Sequence, residues 1–438
     1  MNIEAVKEYI HDFQNKRLPE LVERDIYVPE TDKIVSLIGP RRAGKTYFLF
    51  QKIKELIKED VGKAQILYLN CEDTRLISVR FDEIREIIKL QWQLYPSDKK
   101  SFYLFVDEPQ NIEKWELAIR SLYDEGIKIV ITGSSSKLLS KEIATSLRGR
   151  SLTYIILPFS FNEFLKFKGA DSRILGSKEK AELLRFYDEY LDFGGFPEII
   201  KENDVDSKLK IITEYLDLVV YKDIVERYSL RNSAVVKLII NAMLSSATKK
   251  FSINKMYNTL KSQGIKISKN TLYEYASLLE DVFFIFQTHK FSGSERKKDF
   301  SINKVYINDS AYLKLIEQSK DTGKKMENAV FIELLRKKRP LEDIFYWKNN
   351  AGEEVDFVIT KSKKAEQLIQ VCHNTEDIDT KRREMRALLS AQKELKCRNL
   401  AMLTSNKRGE EKIEWFGSKG TIKFIPLLEW LIDKNPKK

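Results

Sequence analysis

The segment 39–46 constrains the fold of this chain more than any other part of its sequence. It reads GPRRAGKT and matches the pattern G-x-x-x-x-G-K-[ST] at every fixed position. An apolar run, 33–38, precedes it, and a helical pattern, 47–53, follows it. A strand, a glycine loop and a helix in this order wrap phosphate groups with backbone N–H groups. The sequence therefore predicts an α/β core that binds a nucleoside triphosphate.

Each residue type in this loop has a chemical role. Gly39 and Gly44 allow backbone conformations and close approaches that a Cβ would obstruct. Lys45 would place a positive charge at the β- and γ-phosphates, and Thr46 would place a hydroxyl on Mg²⁺. A chance glycine turn before a helix is the alternative, and the match at all four fixed positions of this eight-residue pattern, between a strand and a helix, weighs against it. We expect ATP and Mg²⁺ as cofactors and a nucleotide-binding set of Gly39, Pro40, Arg41, Arg42, Ala43, Gly44, Lys45, Thr46 and Tyr47.

An apolar strand at 102–106 ends in the acid pair Asp107 and Glu108. Asp107 would hold the Mg²⁺ shell through water, as the Walker B aspartate does, and Thr46 and Asp107 are the predicted metal-binding residues. Glu108 would polarise the attacking water, which predicts hydrolysis and not only nucleotide storage. The alternative is a surface acid pair at the end of a strand. The predicted catalytic residues are Glu108, Lys45 and Arg148.

Two further apolar runs, 65–70 and 128–133, fit the same parallel sheet. Thr132 or Ser134 would sense the γ-phosphate from the strand beside Asp107, although a simple polar loop fits the same residues. Downstream, Arg148 or Arg150 would stabilise transition-state charge, in cis or from a neighbouring subunit. A solvated basic turn is the alternative there.

Composition narrows the class of protein. The chain has 438 residues, which predicts two to four domains, and a formal charge of +11, which permits DNA contact but also serves solubility. The sequence has no run of about 18 apolar residues, so we expect no membrane span. The three cysteines have no CxxC spacing, and the three histidines are far apart, which disfavours a disulfide framework, a zinc finger and histidine chemistry. We expect a cytoplasmic protein.

The pattern of apolar runs predicts four domains. A P-loop core with an N-terminal helix would span 1–160, and a helical lid 161–230. A winged-helix domain would span 231–320, and a nuclease-like domain 321–438.

The winged-helix prediction rests on three short helices followed by two alternating strands. Ser252 is placed to cap the second helix, and the third helix is predicted to begin at Ser268. In a DNA reader, Lys269, Asn270 and Tyr273 of the third helix, with the basic wing 296–298, would face phosphates or base edges. Many winged helices contact proteins instead, so DNA and a protein partner both stay open.

The last domain has the element order of a restriction-endonuclease-like core: a helix, a hairpin and a further strand. Active members carry an acid on the helix, an Asp on the hairpin and E-x-K on the next strand. Glu333 and Asp356 fit the first two positions, but Gln370 replaces the Glu and Cys372 replaces the Lys. An amide binds metal weakly and a thiol carries no positive charge. The sequence therefore favours a domain without nuclease activity.

Together these segments resemble the prokaryotic AAA-type ATPases that join a P-loop core to a nuclease-like C-terminal domain of unknown function. The resemblance rests on residues 39–46, 107–110, 147–150, 193–197 and 355–357, and it spans nearly the whole chain. It implies an additional-strand P-loop fold of the ASCE or AAA type, ATP with Mg²⁺, and the roles given above to Lys45, Thr46, Asp107 and Glu108. It does not imply a biological substrate.

The preferred hypothesis is an ATP-hydrolysing protein associated with DNA. A nucleotide-gated signalling or protein-binding switch without DNA is the alternative, and an active Mg²⁺-dependent nuclease is disfavoured. GTP is also disfavoured, because no N-K-x-D motif follows a suitable strand. A homo-oligomer or a protein partner is compatible with the sequence.

Overall fold

A computed structural model of the chain describes residues 1–98, 101–135, 147, 149–170, 176–230, 232–292, 303–316, 321–415 and 417–433. The chain divides into two compact units, Met1–Leu157 with Asp281–Phe283, and Pro158–Glu280 with Phe284–Lys438. The first unit contains the predicted P-loop. The second contains the segments predicted as lid, winged helix and nuclease-like domain. Within the described ranges, no helix is long and apolar enough to span a membrane.

The first unit alternates strands and helices, as the sequence predicts for a parallel sheet. Its strands are β1 (Ile34–Ile38), β2 (Ile66–Asn70), β3 (Tyr103–Asp107), β4 (Lys128–Gly133) and β5 (Ser151–Ile155). Its helices are α1 (Ile3–Asn15), α2 (Lys45–Lys58), α3 (Ile84–Leu94) and α4 (Trp115–Asp124). Neighbouring strands pair in parallel in the order β2-β3-β4-β1-β5.

This strand order inserts β4 between the strand before the loop and the strand that carries the acid pair. Val130 of β4 pairs with Val35 on one side and with Phe105 on the other. The carboxyl ends of β1, β3 and β4 therefore meet at one edge of the sheet. The prediction of an additional-strand P-loop core is confirmed.

The core of this unit explains why α2 begins where it does. All five residues of β1 are buried, as a continuous apolar run in a two-sided parallel sheet requires. Phe48, Leu49 and Ile53 of α2 are buried in the same cluster as Leu37. The apolar face of α2 is thus fixed over the sheet, and its first turn stays at the carboxyl ends of the strands.

The second unit starts with helices α5 (Phe161–Phe167), α6 (Ser177–Phe193), α7 (Pro197–Lys201) and α8 (Val205–Leu218), and α8 continues into a π-helical segment, Val219–Glu226. Ser160 caps α5 in a capping box with Glu163. Asp204 caps α8 by accepting the N–H of Ser207. These local hydrogen bonds mark the starts of α5 and α8.

Three helices and a hairpin follow: α9 (Ser233–Ser245), α10 (Ile253–Ser262), α11 (Lys269–Asp281), β6 (Ile285–Thr288) and β7 (Lys304–Ile307). The hydroxyl of Ser252 accepts the N–H of Lys255, so the predicted cap is present, and the hydroxyl of Ser268 accepts the N–H of Thr271 at the start of the third helix. β6 and β7 pair antiparallel. This is the element order that the winged-helix prediction requires, and its basic wing, 296–298, lies outside the described residues.

The C-terminal part of the second unit is a mixed sheet flanked by helices. Its elements are α12 (Thr322–Lys337), β8 (Glu342–Lys348), β9 (Glu354–Lys361), β10 (Lys364–Cys372), α13 (Ile378–Leu395), β11 (Leu400–Thr404), β12 (Gly409–Trp415), β13 (Ser418–Pro426) and α14 (Leu427–Ile432). The strand order is β12-β13-β11-β10-β9-β8. β11 pairs in parallel with β10 and with β13. β8 pairs antiparallel with β9, β9 with β10, and β12 with β13. This confirms the predicted separate α/β domain at the C-terminus.

Candidate functional site

The loop between β1 and α2 has the backbone shape that its glycines predict. Gly39 has φ 151°, Arg42 has φ 66° and Gly44 has φ 91°. A Cβ on Gly39 would lie 2.0 Å from the carbonyl oxygen of Ile156, so only glycine fits there. The loop passes tightly beside the end of β5 and enters α2 at Lys45. The N–H of Phe48 donates to Gly44 O at 3.0 Å, and the N–H groups that precede it at the start of α2 are the kind of donors that bind phosphate oxygens.

The ammonium group of Lys45 lies inside the loop. Lys45 is 5% exposed, and its Nζ donates to the carbonyl oxygens of Gly39 (3.1 Å) and Pro40 (3.0 Å). The same Nζ lies 3.7 Å from Oε1 of Glu108. A positive charge is thus held on the concave side of the loop, where the phosphates of a nucleotide would bind.

Three hydroxyl groups converge on Asp107 at the end of β3. Thr46 Oγ1 (2.7 Å) and the hydroxyl of Tyr68 (3.0 Å) donate to its Oδ2. Thr132 Oγ1 donates to its Oδ1 and also accepts the backbone N–H of Glu108 at 2.9 Å. Thr132 reaches both acids because β4 lies directly beside β3. Thr132 therefore fixes the positions of both acids through hydrogen bonds. A contact of Thr132 with a γ-phosphate stays a prediction.

Burial dominates the electrostatics of Asp107. The residue is 3% exposed. Burial raises the pKa of Asp107 above its ordinary value, and Glu108 adds to this, while the hydrogen bonds from Thr132, Thr46 and Tyr68 oppose it. Burial and the nearby Asp107 charge also raise the pKa of Tyr68, which keeps its hydroxyl protonated as a donor.

The residues around Asp107 fit a Mg²⁺ ion. Thr46 and Asp107 present hard oxygen atoms 2.7 Å apart. Mg²⁺ is usually held by one or two protein oxygens and keeps water and substrate phosphate for the rest of its octahedron. In the part of the chain that the structure describes, no three His, Cys, Asp or Glu side chains are grouped to hold a metal. A metal at Thr46 and Asp107 would accordingly depend on phosphate and water ligands.

Glu108 is held in an unusual backbone conformation. Its φ is 52° and its ψ is 53°, in the left-handed region, which costs about 1–2 kcal/mol for a residue with a Cβ. The turn Pro109–Asn111 follows it, and Nε2 of Gln110 donates to its Oε2. This backbone and the Gln110 contact hold the carboxylate beside Lys45. Strain of this kind is concentrated at functional sites.

Sequence reasoning missed Arg24, which supports the loop from outside the motif. Arg24 is 7% exposed. Its guanidinium donates to the carbonyl oxygens of Ala43 (3.0 Å) and Leu157 (2.6 Å), and its backbone N–H donates to Gln51 Oε1 (2.9 Å). A single arginine in an irregular segment carries no sequence signal for this role.

The other predicted loop residues are placed as follows. Arg41 Nη1 lies 3.6 Å from Glu72 Oε1, Arg42 is exposed, and Pro40 and Ala43 are buried. Arg148 lies outside the described residues. Arg150 is described, and its Nε lies 3.1 Å from Asp124 Oδ1 on α4.

A cavity of about 900 Å³ lies beside the start of α2. Thr46, Tyr47 and Phe50 of α2 line it together with Tyr68 and the segment 15–19. Tyr47 is 57% exposed, and its ring meets that of Phe50 edge-on at 6.3 Å. The cavity thus joins the predicted metal ligand Thr46 to a surface rich in aromatic rings.

The segment 193–197, Phe-Gly-Gly-Phe-Pro, forms a turn around a buried carboxylate. Gly195 N–H donates to Asp309 Oδ2 (2.8 Å), and Ala311 N–H donates to Oδ1 (2.9 Å). Gly194 has φ 69°, and a Cβ on it would lie 1.5 Å from Asp309 Oδ1. Burial raises the pKa of Asp309 to about 7, although the two backbone hydrogen bonds oppose this shift. The two glycines are therefore explained by packing within the second unit.

The predicted DNA-contacting residues of α11 share an exposed face. Lys269, Asn270 and Tyr273 are exposed, and Tyr273 is 53% exposed. Lys269 Nζ lies 5.2 Å from the centre of the Tyr257 ring. Glu274 is exposed on the same helix. The face is polar and aromatic, and both a nucleic acid and a protein would fit its chemistry.

One expectation for the nuclease-like domain is wrong. Glu333 was expected to be the helix acid beside Asp356, but its carboxylate pairs with Arg336 (3.2 Å) and Lys337 (3.3 Å) on its own helix. The helix acid near Asp356 is Glu327, six residues earlier on the same helix. A helix turns about 100° per residue, so the apolar pattern of α12 left more than one acid compatible with the site.

The geometry defines the class of protein. A parallel sheet in the order β2-β3-β4-β1-β5, a phosphate-binding loop between β1 and α2, and an acid pair after β3 make this chain an additional-strand P-loop protein. A family profile described as an AAA domain matches residues 31–165. Profiles of two domains of unknown function, DUF8612 and DUF4143, match residues 184–321 and 322–430.

Two relatives support the same assignment. An uncharacterized protein of Methanocaldococcus jannaschii is 40% identical over 94% of this chain and 91% of its own length. An uncharacterized protein of Haemophilus influenzae is 29% identical over 79% of this chain and 83% of its own length. The chain belongs to this family of AAA-type P-loop proteins with two C-terminal domains of unknown function, and it is a nucleotide-binding protein of that type.

Solved structures add little to this assignment. The crystal structure of Cdc6p from Pyrobaculum aerophilum aligns with 65% of this chain and 86% of its own, at 14% identity and a TM-score of 0.25.

Proposed function

We propose that this chain is a Mg²⁺-dependent ATPase that contacts DNA through α11. The observation that supports hydrolysis is the convergence of Lys45, Thr46, Asp107 and Glu108 at the carboxyl edge of one sheet. Their pairwise contacts, 2.7 Å for Thr46–Asp107 and 3.7 Å for Lys45–Glu108, bring a cation, a hydroxyl and two carboxylates together. This is the set of groups that phosphoryl transfer to water requires.

Each residue has a separate task in this proposal. Lys45 binds the β- and γ-phosphates and leaves the carbonyl oxygens of Gly39 and Pro40 to do so. Thr46 and Asp107 hold Mg²⁺, which would neutralise charge on the phosphate oxygens when bound. Glu108, released from Lys45, accepts a proton from the attacking water.

The cavity beside α2 supports a place for the nucleoside. Thr46 lies at the phosphate end of this cavity, and Tyr47 and Phe50 provide aromatic surfaces further along α2. Aromatic rings of this kind stack on a base or pack against a ribose. We assign the base and ribose to this cavity, and we favour ATP because the sequence has no guanine-reading N-K-x-D motif after a strand.

The DNA half of the proposal rests on α11. Lys269, Asn270 and Tyr273 are exposed together on the third helix of a three-helix and hairpin module, and the chain carries a formal charge of +11. Lysine binds phosphate, asparagine reads base edges, and tyrosine stacks. The alternative, a nucleotide-gated switch that binds a protein, would be favoured if the test below finds no DNA binding.

The decisive experiment is an ATPase assay with and without duplex and single-stranded DNA over a series of salt concentrations. We expect ATP turnover that DNA increases at low salt, with a DNA affinity that falls as salt rises. Lys45→Ala should abolish turnover, whereas Lys58→Ala, at the far end of α2, should not. Turnover that ignores DNA, with no DNA binding at low salt, would leave the ATPase and remove the DNA role in favour of the protein switch.

A further inference from the structure

A buried lysine occupies the acidic centre of the nuclease-like domain. Lys304, the first residue of β7, is 3% exposed. Its Nζ lies 3.0 Å from Glu327 Oε1, 3.0 Å from Glu354 Oε1 and 3.0 Å from Asp356 Oδ1. One ammonium group therefore bridges three carboxylates that come from α12 and β9.

The second oxygen of Asp356 and the side-chain amide of Gln370 are also engaged by protein groups. Asp356 Oδ2 accepts the backbone N–H of Val371 (3.0 Å), and the backbone N–H of Asp356 donates to Gln370 Oε1 (3.1 Å). The amide nitrogen of Gln370, Nε2, donates to Glu384 Oε2 at 2.6 Å. Gln370, which replaces the expected Glu, thus donates one hydrogen bond and accepts another. A carboxylate at this position could accept the first contact but could not donate the second.

Lysine side chains of the chain itself offset the negative charge of the cluster. Burial lowers the pKa of Lys304, but the neighbouring Asp356, Glu327 and Glu354 outweigh it and leave that pKa well above its ordinary value. Burial opposes ionisation of Glu354, but Lys304 and Lys250 bring its pKa down to about 2. Lys250 Nζ lies 3.2 Å from Glu354 Oε2. A positive charge is thus built into the site by the chain itself.

Lys304 also lies where β7, of the three-helix and hairpin module, packs against α12 of the nuclease-like domain. Its neighbour Tyr306 stacks on Phe331 of α12 at 4.1 Å and donates to Glu327 at 2.9 Å. Ile307 exchanges two hydrogen bonds with the side chain of Asn328, at 2.9 and 3.0 Å. β7 therefore contacts the nuclease-like domain through three successive kinds of interaction: the ion pairs of Lys304, the ring stacking of Tyr306, and the hydrogen bonds of Ile307 with Asn328.

We propose that Lys304 is the permanent cation of this carboxylate cluster and takes the place that a divalent metal ion holds in an active nuclease. The ammonium group fills the space between the helix acid Glu327 and the hairpin acid Asp356. It closes the cluster to divalent ions and fastens the hairpin of the three-helix module to the C-terminal domain. The nuclease-like fold thus serves as a rigid, metal-free support. This inference does not depend on the ATPase proposal.

The first test is a metal titration of the nucleotide-free full chain with MnCl₂, followed by thermal unfolding. Wild type and Asp356→Asn should show the same Mn²⁺ response, because the cluster takes no ion. Asp107→Asn serves as the control for metal bound at the P-loop. A Mn²⁺-dependent rise in the melting temperature of wild type that Asp356→Asn alone abolishes would overturn the proposal.

The second test is a double-mutant cycle between Lys304 and Asp356. Lys304→Met should lower the melting temperature by several degrees, because Glu327 and Asp356 lose their ammonium partner and Glu354 keeps only Lys250 and Lys348. Adding Asp356→Asn to Lys304→Met should restore part of that loss, whereas additive losses would overturn the proposal. Lys419→Met, at an exposed pair with Glu414, is the matched control and should change little.

A folding failure of Lys304→Met is also informative. If the single variant yields no folded protein, recovery of folded chain on adding Asp356→Asn supports the proposal. Equal failure of the single and the double variant would overturn it, because the buried charge would then not be the cause.

Discussion

The Nζ of Lys45 lies 3.7 Å from Oε1 of Glu108, so the two charged groups proposed for phosphate binding and water activation lie close to each other. Both side chains are shielded, with 5% and 12% of their surface exposed. This ion pair holds the Glu108 carboxylate against Lys45. Phosphates that draw Lys45 away would release Glu108, which couples nucleotide binding to activation of the base.

We predict that Glu108→Gln separates binding from hydrolysis. The amide keeps the shape of the side chain but cannot accept a proton, and loss of a general base typically costs a factor of about 10²–10⁴ in rate. ATP affinity should change by only a few-fold. Turnover and nucleotide affinity should be measured separately on the same preparation. A variant that loses affinity and turnover in parallel would argue that Glu108 serves binding only.

We predict that Thr132→Val disturbs both acids at once. The substitution removes the donor to Asp107 and the acceptor of the Glu108 N–H while it keeps the volume, and each lost buried partner costs about 1–3 kcal/mol. The free energy of unfolding in urea should fall by about 2–6 kcal/mol for the two lost partners together, and turnover should fall about tenfold or more. Thr153→Val on β5, where the side chain is exposed, is the control and should leave both unchanged.

We predict that Gly194 tolerates no side chain. Gly194→Ala and Gly264→Ala both place alanine at positive φ, 69° and 76°, so they share the backbone cost of about 1–2 kcal/mol. Only at Gly194 does the new Cβ meet a neighbour, Asp309 Oδ1 at 1.5 Å. Gly194→Ala should therefore lower the urea midpoint clearly more than Gly264→Ala does. Equal midpoints would show that the turn around Asp309 adapts without cost.

We predict that Asp309 makes the chain less stable as the pH rises. Its pKa is raised from 3.8 in the unfolded chain to about 7 in the fold. The folded state therefore binds more protons between these values, and its stabilisation is complete below pH 4 and is lost as the pH rises towards 7. The loss attributable to Asp309 is about 4 kcal/mol at most, from about 1.4 kcal/mol for each pKa unit.

Urea unfolding of wild type and Asp309→Asn at pH values from 4 to 8 measures this effect. The amide does not titrate, so the stability of wild type relative to the variant should decline across the window and level off above pH 7. Parallel profiles for the two proteins would contradict the assignment to Asp309.

We predict that Lys269→Ala reduces the salt dependence of DNA binding. A lysine that contacts one phosphate contributes about one unit to the slope of log affinity against log salt. The measurement is DNA affinity at four or more salt concentrations. Lys419→Ala, an exposed lysine on β13, is the control and should keep the wild-type slope. An unchanged slope in Lys269→Ala would place the DNA contact elsewhere or favour a protein partner.

The sequence predicted most of the P-loop unit, because its signals are local. The run 39–46 fixes a turn, a helix start and a charge within eight residues, and the acid pair marks the end of the next relevant strand. Capping serines at Ser252 and Ser268 likewise set helix boundaries through contacts three residues away. The domain boundaries and the roles of the site residues stay predictions.

The sequence could not identify the residues that support these sites from a distance. Arg24 reaches Leu157 across 133 positions of the chain, and Gly195 reaches Asp309 across 114. The expectation that Glu333 is the helix acid was wrong because sequence spacing alone does not fix which face of α12 meets β9.

By itself, the sequence determined that this chain has a phosphate-binding loop, an acid pair on a buried strand and a nuclease-like domain without its usual Glu and Lys. Only the tertiary structure decided what surrounds them: Thr132 and Tyr68 on Asp107, Glu108 beside Lys45, and Lys304 among three carboxylates. The physical reason is that loops, caps and periodicity depend on neighbours along the chain. Buried charges are compensated by whichever side chains the fold brings within about 3 Å of them.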